Sequence, residues 1–390
     1  MRILIPESQA MGSVACIRSL GRAGHTVIAL SPDPVAWGFA SRFCDETVVQ
    51  PSGLSGDAWA RWLANLVASR QIDLILPSEG LVAALGPAIS QFSNHLPVGP
   101  DAQRLERFIS KFELFTHFET AGDAELRRNL PPMRLLRDGD PWQGDLTELT
   151  LPLFAKFDAV PALGLSALVQ RYDSHQAALD GLPPLLARYR RGLLQQFAGG
   201  QGVGVFFLRW KGQVLASLMH RRLHEVPHTG GVSSYRETWW DEALYQDALR
   251  RIESLDWWGV GMLEYRWSAV DGRFQLMEFN ARFWGSLHLA LYAGVDFPRL
   301  LVDAWGGRPV EPVRAKVGVR CRFTFPKDIE HLWSVWCDPA LGLGRKAGAL
   351  AKFLALGLDP RLHSDLWFPG DHGLYWRALR STPGKFLRRG

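Results

Sequence analysis

The sequence predicts a mixed protein, part α/β and part α+β, that opens on a doubly wound parallel sheet. Three observations carry that expectation. The first hundred residues alternate short apolar strands with helices, as βαβ units do. The stretch Gly261 to Arg282 has the pattern of a β-hairpin with its turn at Val270-Asp271-Gly272. A chain of 390 residues, 47% apolar, is too long for one compact core and suffices for two or three.

In chain order, Arg2 to Ile5 is a buried strand, Ser13 to Ala23 a helix ended by Gly24, and His25 to Leu30 a second strand. Ala58 to Ser69 is an amphipathic helix, followed by a strand at Ile72 to Leu76. The first strand is followed by Glu7-Ser-Gln-Ala-Met-Gly12 and not by Gly-x-Gly-x-x-Gly, which does not support a dinucleotide site. Glu79-Gly80 lies just beyond the third strand, where open α/β sheets bind ligands; capping the next helix is the other role open to Glu79. Further on, Lys111 begins a helix, Lys156 ends a short apolar strand, and Asp158 to Ser166 is a loop of small residues. Leu193 to Phe197 ends another strand, which turns at Ala198-Gly-Gly200.

In the hairpin, an odd loop sets Ala269 opposite Arg273, and the continued register sets Glu264 across from Glu278. Strand alternation adds Asn280 and Arg282 to the face of Glu278 and turns Met277 and Phe279 away. Opposed carboxylates are destabilising unless a cation sits between them. Mg²⁺, which takes oxygen ligands from one or two carboxylates plus substrate phosphates, suits a Glu264, Glu278, Asn280 set. Neutralisation by Arg266 and Arg273 is the alternative.

Met219 to Ser234 is the most polar concentrated stretch. Arg221 and Arg222 followed by Gly230-Gly231 can wrap a triphosphate or acyl phosphate. Zinc on His220, His224 and His228 would need a helix that Pro227 interrupts. After the hairpin, Ser286 opens an apolar helix as its N-cap or against an acceptor carboxylate, and His288 is assigned to the core.

These pieces resemble the ATP-grasp superfamily over about residues 1–310, in particular the carboxylate–amine ligases and the large chain of carbamoyl-phosphate synthase. Glu264 followed by Glu278-Phe-Asn280-Ala-Arg282 resembles that superfamily's metal-binding strand. Ser110-Lys111 is similar to its first lysine segment, Leu153-Phe-Ala-Lys156 to its strand lysine, and Leu194 to Gln201 to the hinge that holds adenine. The resemblance implies ATP held by Lys111, Lys156, Gln195, Gln196, Phe197 and Gln201. It implies Mg²⁺, or Mn²⁺, on Glu264, Glu278 and Asn280, and phosphoryl stabilisation by Arg282 with Arg221 or Arg222. The hinge position often filled by Glu is Gln196, and the ribose-contacting acid is Gln201; neutral amides still bond ribose hydroxyls. The implied organisation is a pre-grasp domain at 1–105, two lobes of a clamp at 106–190 and 191–315, and an extension at 316–390.

The implied reaction passes the γ-phosphate of ATP to a small-molecule carboxylate, and an amine then attacks the acyl phosphate to give an amide, ADP and phosphate. A nucleotide-binding regulatory or scaffold protein is the alternative. A net charge of +5 suits anionic substrates. Basic residues are spread along the chain with no nucleic-acid-binding signature, so no nucleic-acid partner is expected. Four cysteines without Cys-x-x-Cys spacing imply reduced thiols, and the absence of a signal peptide or long apolar span implies a cytoplasmic protein. Homo-oligomerisation is left open. Beyond residue 316, Trp333, Trp336, Trp367 and Trp376 alternate with basic residues, and Ala347 to Leu356 is a short amphipathic helix. Packing on the clamp is expected there, with a partner, an acyl chain or a membrane surface as alternatives.

Overall fold

The computed structural model describes residues 1–98, 103–139, 146–160 and 163–387. The N-terminal sheet is wholly parallel. It is formed by β1 (Arg2–Ile5), β2 (Thr26–Ser31), β3 (Glu46–Val49) and β4 (Leu74–Ile75), in the order β3-β2-β1-β4. Ile3, Leu4 and Ile5 are all buried, because helices cover both faces of such a sheet. α1 (Met11–Arg22) and α2 (Gly56–Arg70) are two of them. The sequence pattern missed β3, an edge strand whose alternate residues are exposed. α3 (Glu79–Leu85) is capped by Ser78, whose hydroxyl accepts from the Leu81 N–H at 3.2 Å; Glu79 is the helix's first residue and not its cap.

After α4 (Gln103–Ile109), α5 (Lys111–Thr120) and α6 (Ala124–Arg127) comes a small antiparallel sheet. Its strands are β5 (Met133–Arg137), β6 (Leu153–Phe157), β7 (Leu168–Tyr172) and β8 (Arg191–Gln196), in the order β5-β8-β6-β7. Thus 191–196, which the sequence reading gave to the following lobe, is an interior strand of this sheet, paired to β5 and β6. α7 (His175–Tyr189) lays Ala178, Leu182 and Leu186 onto Leu153, Ala155, Phe157 and Leu194. Asp158, just past β6, accepts the N–H groups of Lys111 (2.9 Å) and Phe112 (3.2 Å) and the hydroxyl of Ser110 (2.7 Å). That carboxylate satisfies orphan donors and complements the helix dipole, so it pins the start of α5, and with it Lys111, to the sheet that carries Lys156. The loop expected to close over phosphates, 158–166, includes 161–162, which lie outside the described residues.

The large sheet runs β13-β12-β9-β10-β11-β15-β16, with β14 paired to β10. Its elements are β9 (Gln201–Trp210), β10 (Gln213–Val226), β11 (Val232–Thr238), α8 (Glu242–Ser254), β12 (Gly259–Trp267), β13 (Phe274–Asn280), α9 (Leu287–Tyr292), α10 (Phe297–Trp305), β14 (Val313–Arg314) and β15 (Arg320–Arg322). α11 (Ile329–Cys337), α12 (Leu343–Gly357), β16 (Leu362–Ser364) and α13 (Gly373–Leu387) complete the chain. Strand alternation splits the large sheet between two cores. Val203, Val205, Phe207, Leu263 and Phe279 face one, while Phe206, Leu208, Val260 and Met262 join Ile3, Ile5 and Trp284 in the other.

The region from 316 onward is more than an appendage. β15 and β16 extend the large sheet, Asp365 binds the buried Arg236 through both carboxylate oxygens, and Asp371 binds Arg18 on α1 at 2.8 Å. His288 is fully buried, 2.8 Å from an Arg18 guanidinium nitrogen, as assigned from sequence. Among the described residues no helix is long and apolar enough to cross a membrane.

Candidate functional site

The expected hairpin pairing is present, although the route to it differs. Glu264 stands opposite Glu278, and Met262 opposite Asn280. Nearer the turn, Trp267 pairs with Phe274 and the Ser268 N–H donates to Arg273, so the loop is one residue shifted from the Ala269–Arg273 register. A bulge between Glu264 and Tyr265 restores the pairing, and it lets Leu276 and Phe279, three residues apart, both enter the core.

The two glutamates meet cations, but not the ones the alternative reading named. Lys111 Nζ lies 2.8 Å from Glu278 Oε2, and Arg222 binds Glu264; Arg266 leans on Glu225 and Arg273 on Asp271. Arg222 starts on β10 and reaches Glu264 on β12 by crossing β9 at Gly202. A Cβ there would lie 2.8 Å from both the Arg222 Cδ and a Glu225 oxygen, so only glycine leaves the passage open. The Gly231 carbonyl steadies Arg222 at 2.8 Å. Arg221, one residue earlier, points to the opposite face of the sheet and pairs with Glu237, so the adjacent arginines cannot act together as the sequence reading allowed.

The electrostatics follow from burial. Burial raises the pKa of Glu278, but Lys111 outweighs it and holds that carboxyl down to about 2. Glu264 is shifted up by burial and by the charge of Glu278, with Arg222 opposing. Lys111 stays charged because Glu278 more than offsets burial. Lys156 has no carboxylate in such close contact among the described residues: burial, then the charge of Lys111, brings it down to about 8. Asn280 donates its amide to Glu278 Oε1 at 3.0 Å, which leaves its own oxygen available. Two carboxylates and an amide oxygen on one sheet face are a donor set that fits Mg²⁺.

Across from them the small sheet contributes Lys156 and, on the same face of β6, Phe154, whose ring lies 6.1 Å from that of Phe197. Phe197 is exposed at the connection from β8 to β9. The hinge amides are more engaged than expected. The N–H groups of Gln196 and Phe197 donate to the Pro132 and Pro152 carbonyls, and the Gln196 side chain accepts from Thr150. Gln201 donates to the Arg222 carbonyl at 2.6 Å, which engages its amide nitrogen within the sheet. Gln195 is buried, with its amide oxygen unpartnered among the described residues.

Arg282 leaves this face and binds Glu79 at 2.9 Å. The pair lines a cleft of about 260 Å³ at the carboxyl ends of β1 and β4, with Glu7, Ser13, Ser78 and Gly285. Beside it, Ser286 Oγ lies 2.9 Å from Nε2 of His220, a buried ring stacked on Phe206 and held neutral by burial. Sequence reasoning missed Glu7 and the link between His220 and Ser286, because neither has a local pattern. The zinc alternative fails: β10 is a strand, and His220, His224 and His228 go to Ser286, Asp328 and Asp338 respectively.

No family model matches the sequence, and no curated protein matches it. Solved structures do match its fold. N5-carboxyaminoimidazole synthetase from Staphylococcus aureus, complexed with ADP, is 13% identical over 82% of this chain and 80% of its own, with a TM-score of 0.60. N5-carboxyaminoimidazole ribonucleotide synthetase from Thermus thermophilus is 19% identical over 81% of each chain, with a TM-score of 0.59. L-amino acid ligase from Bacillus licheniformis is 16% identical over 80% of this chain and 74% of its own, with a TM-score of 0.57.

Proposed function

We propose, for a chain whose fold is that of the ATP-grasp enzymes, that the protein is an ADP-forming ligase that activates a carboxylate as an acyl phosphate and joins it to an amine. One observation carries the reading. Glu278, beside Glu264 and Asn280 on the large sheet, pairs with Lys111, which Asp158 holds, and its charge acts on Lys156 of the small sheet, so a donor set and two ammonium groups are brought together. Structural neighbours named as synthetases and a ligase, one of them holding ADP, support it.

In this reading the triphosphate enters between the two sheets and draws Lys111 from Glu278. Lys156 then gains the anionic partner that burial has denied it, which raises its pKa and fixes its proton. Glu264, Glu278 and Asn280 would hold Mg²⁺, or Mn²⁺, whose chemistry is to neutralise phosphate charge. The adenine side falls to the Gln195-Gln196-Phe197 connection. Arg222 and Arg282 flank the transferring group, and the cleft lined by Glu7, Glu79 and Gly285, beside Ser286, takes the acceptor substrate. The protein's contribution is position and charge. A carboxylate and amine panel with ADP detection tests the reading, with hydroxylamine added to trap the acyl phosphate as a hydroxamate. Release of AMP and pyrophosphate instead would refute it.

A further inference from the structure

The histidines that do not share a zinc ion serve another purpose. His224 and His228 sit at and just past the end of β10, where α11 packs against the strand. The His331 ring of α11 lies flat on that of His224, 4.3 Å away and 1° from parallel, and His224 Nδ1 is itself held 2.8 Å from Asp328. His331 Nδ1 lies 2.7 Å from the Glu225 carbonyl. A carbonyl can only accept, so that nitrogen carries the proton and donates. One turn further along α11, Ser334 Oγ accepts the His228 backbone N–H at 2.9 Å, and Asp338, just past the helix, lies 3.0 Å from His228 Nε2.

What α11 grips is the support of Arg222. The Arg222 guanidinium donates to Glu264, to the Glu225 carboxylate at 3.4 Å and to the Gly231 carbonyl at 2.8 Å. Glu225 and Gly231 both belong to the 224–231 segment. The pairing of β10 with β11 slips on either side of His224, which lets Glu225 share the face of Arg222 over Gly202 while His224 turns to α11. Glu225 also reaches Arg266 at 3.5 Å. The turn that follows is tight: a Cβ on Gly231 would lie 2.2 Å from the Val226 carbonyl oxygen. The Gly231 carbonyl is therefore placed by the same residues that α11 holds.

We propose that α11 is a positioning element for the phosphate-facing site: His331 and Asp338 hold residues 224–231 so that Glu225 and Gly231 set Arg222 against Glu264. The proposal rests on the reading in which Arg222 flanks the transferring group. It makes turnover depend on a helix that contributes no residue to the site itself.

Steady-state kinetics and hydrogen exchange on the full chain test it. His331→Ala should lower kcat about tenfold, within the range that misplacing a group from a distance can cost, while the KM for ATP changes by less than about twofold. His331→Asn should restore most of the rate, because its amide nitrogen replaces Nδ1 as the donor to the Glu225 carbonyl. In an Arg222→Gln background, His331→Ala should cost nothing further, since the effect runs through that arginine. Backbone exchange at 224–231 should quicken in His331→Ala and slow again in His331→Asn. Full kcat in His331→Ala, an asparagine variant no better than the alanine one, or losses that multiply in the Arg222→Gln background would each overturn the proposal. Exchange needs no turnover, so unchanged protection at 224–231 in His331→Ala overturns it in any case, whereas a wild-type protein that releases no ADP sinks the ligase reading.

Discussion

Arg222 reaches Glu264 from two strands away, across a backbone that has no side chain at Gly202. The geometry makes the glycine part of the site. Gly202→Ala should displace Arg222 from Glu264 and lower turnover by about 10²-fold in a folded protein, the scale of losing one preorganised electrostatic contact. Gly204→Ala, two residues on, meets the Phe206 ring at 2.7 Å and should instead cost about 1–3 kcal/mol of stability by overpacking. Thermal melts and steady-state kinetics on the two variants separate the effects. Normal turnover by Gly202→Ala would show that the crossing has no role.

Glu278→Gln keeps the shape of the side chain and removes the charge that pairs with Lys111 and that the proposed metal set would use. Turnover should fall far more than ATP affinity, because the charge is needed where phosphate charge is redistributed. Calorimetry with and without Mg²⁺ should show the Mg²⁺ dependence of ATP binding weakened in the variant. Phe279→Leu, on the opposite face against Phe207 and Trp257, should cost about 1 kcal/mol and leave chemistry intact.

Lys156 gives a pH dependence of definite sign. Its folded pKa of about 8 lies below the unfolded value, so the unfolded chain binds more protons between the two. The buried ammonium therefore costs stability below pH 8, and that cost is relieved as pH rises through 8 and beyond. Lys156→Met should raise the Tm at about pH 7 while weakening ATP binding, and wild-type affinity for ATP should decline from about pH 7 to about pH 9 as the ammonium is lost. A lower Tm for the variant would mean that the lysine has a partner in the unliganded protein.

Asp365 is buried against Arg236 through both oxygens. Asp365→Asn leaves a buried guanidinium short of its counter-charge and should destabilise by about 3–5 kcal/mol in denaturant titration.

The sequence made the parallel N-terminal sheet legible, because a strand buried on both faces shows as a continuous apolar run such as Ile3-Leu4-Ile5. It also brought Glu264 and Glu278 together, although the turn and the bulge each shift the register by one and cancel. A bulge leaves no local signature in the sequence; the pairing of Glu264 with Glu278 and of Tyr265 with Leu276, and the shared burial of Leu276 and Phe279, reveal it. The pairing of Arg222 with Glu264, in contrast to Arg221, depends on which face of β10 each occupies, and that required knowing the segment is a strand. Partners distant in sequence were invisible: Glu79 for Arg282, His220 for Ser286, and the residues after 316 for Arg18 and Arg236.

Arg18 sits in the first helix, and its guanidinium is completed by Asp371 and by the carbonyls of Asp365 and Leu366, some 350 positions later. During synthesis, α1 therefore emerges with a cation that has no permanent place until residues 365–371 have been made. The N-terminal sheet can form early, but it must keep one flank hydrated while the lobes between are made, and contacts this distant are the slow ones to close. A nascent chain arrested before Asp365 should stay open to protease around α1, and release of the remaining residues should seal it.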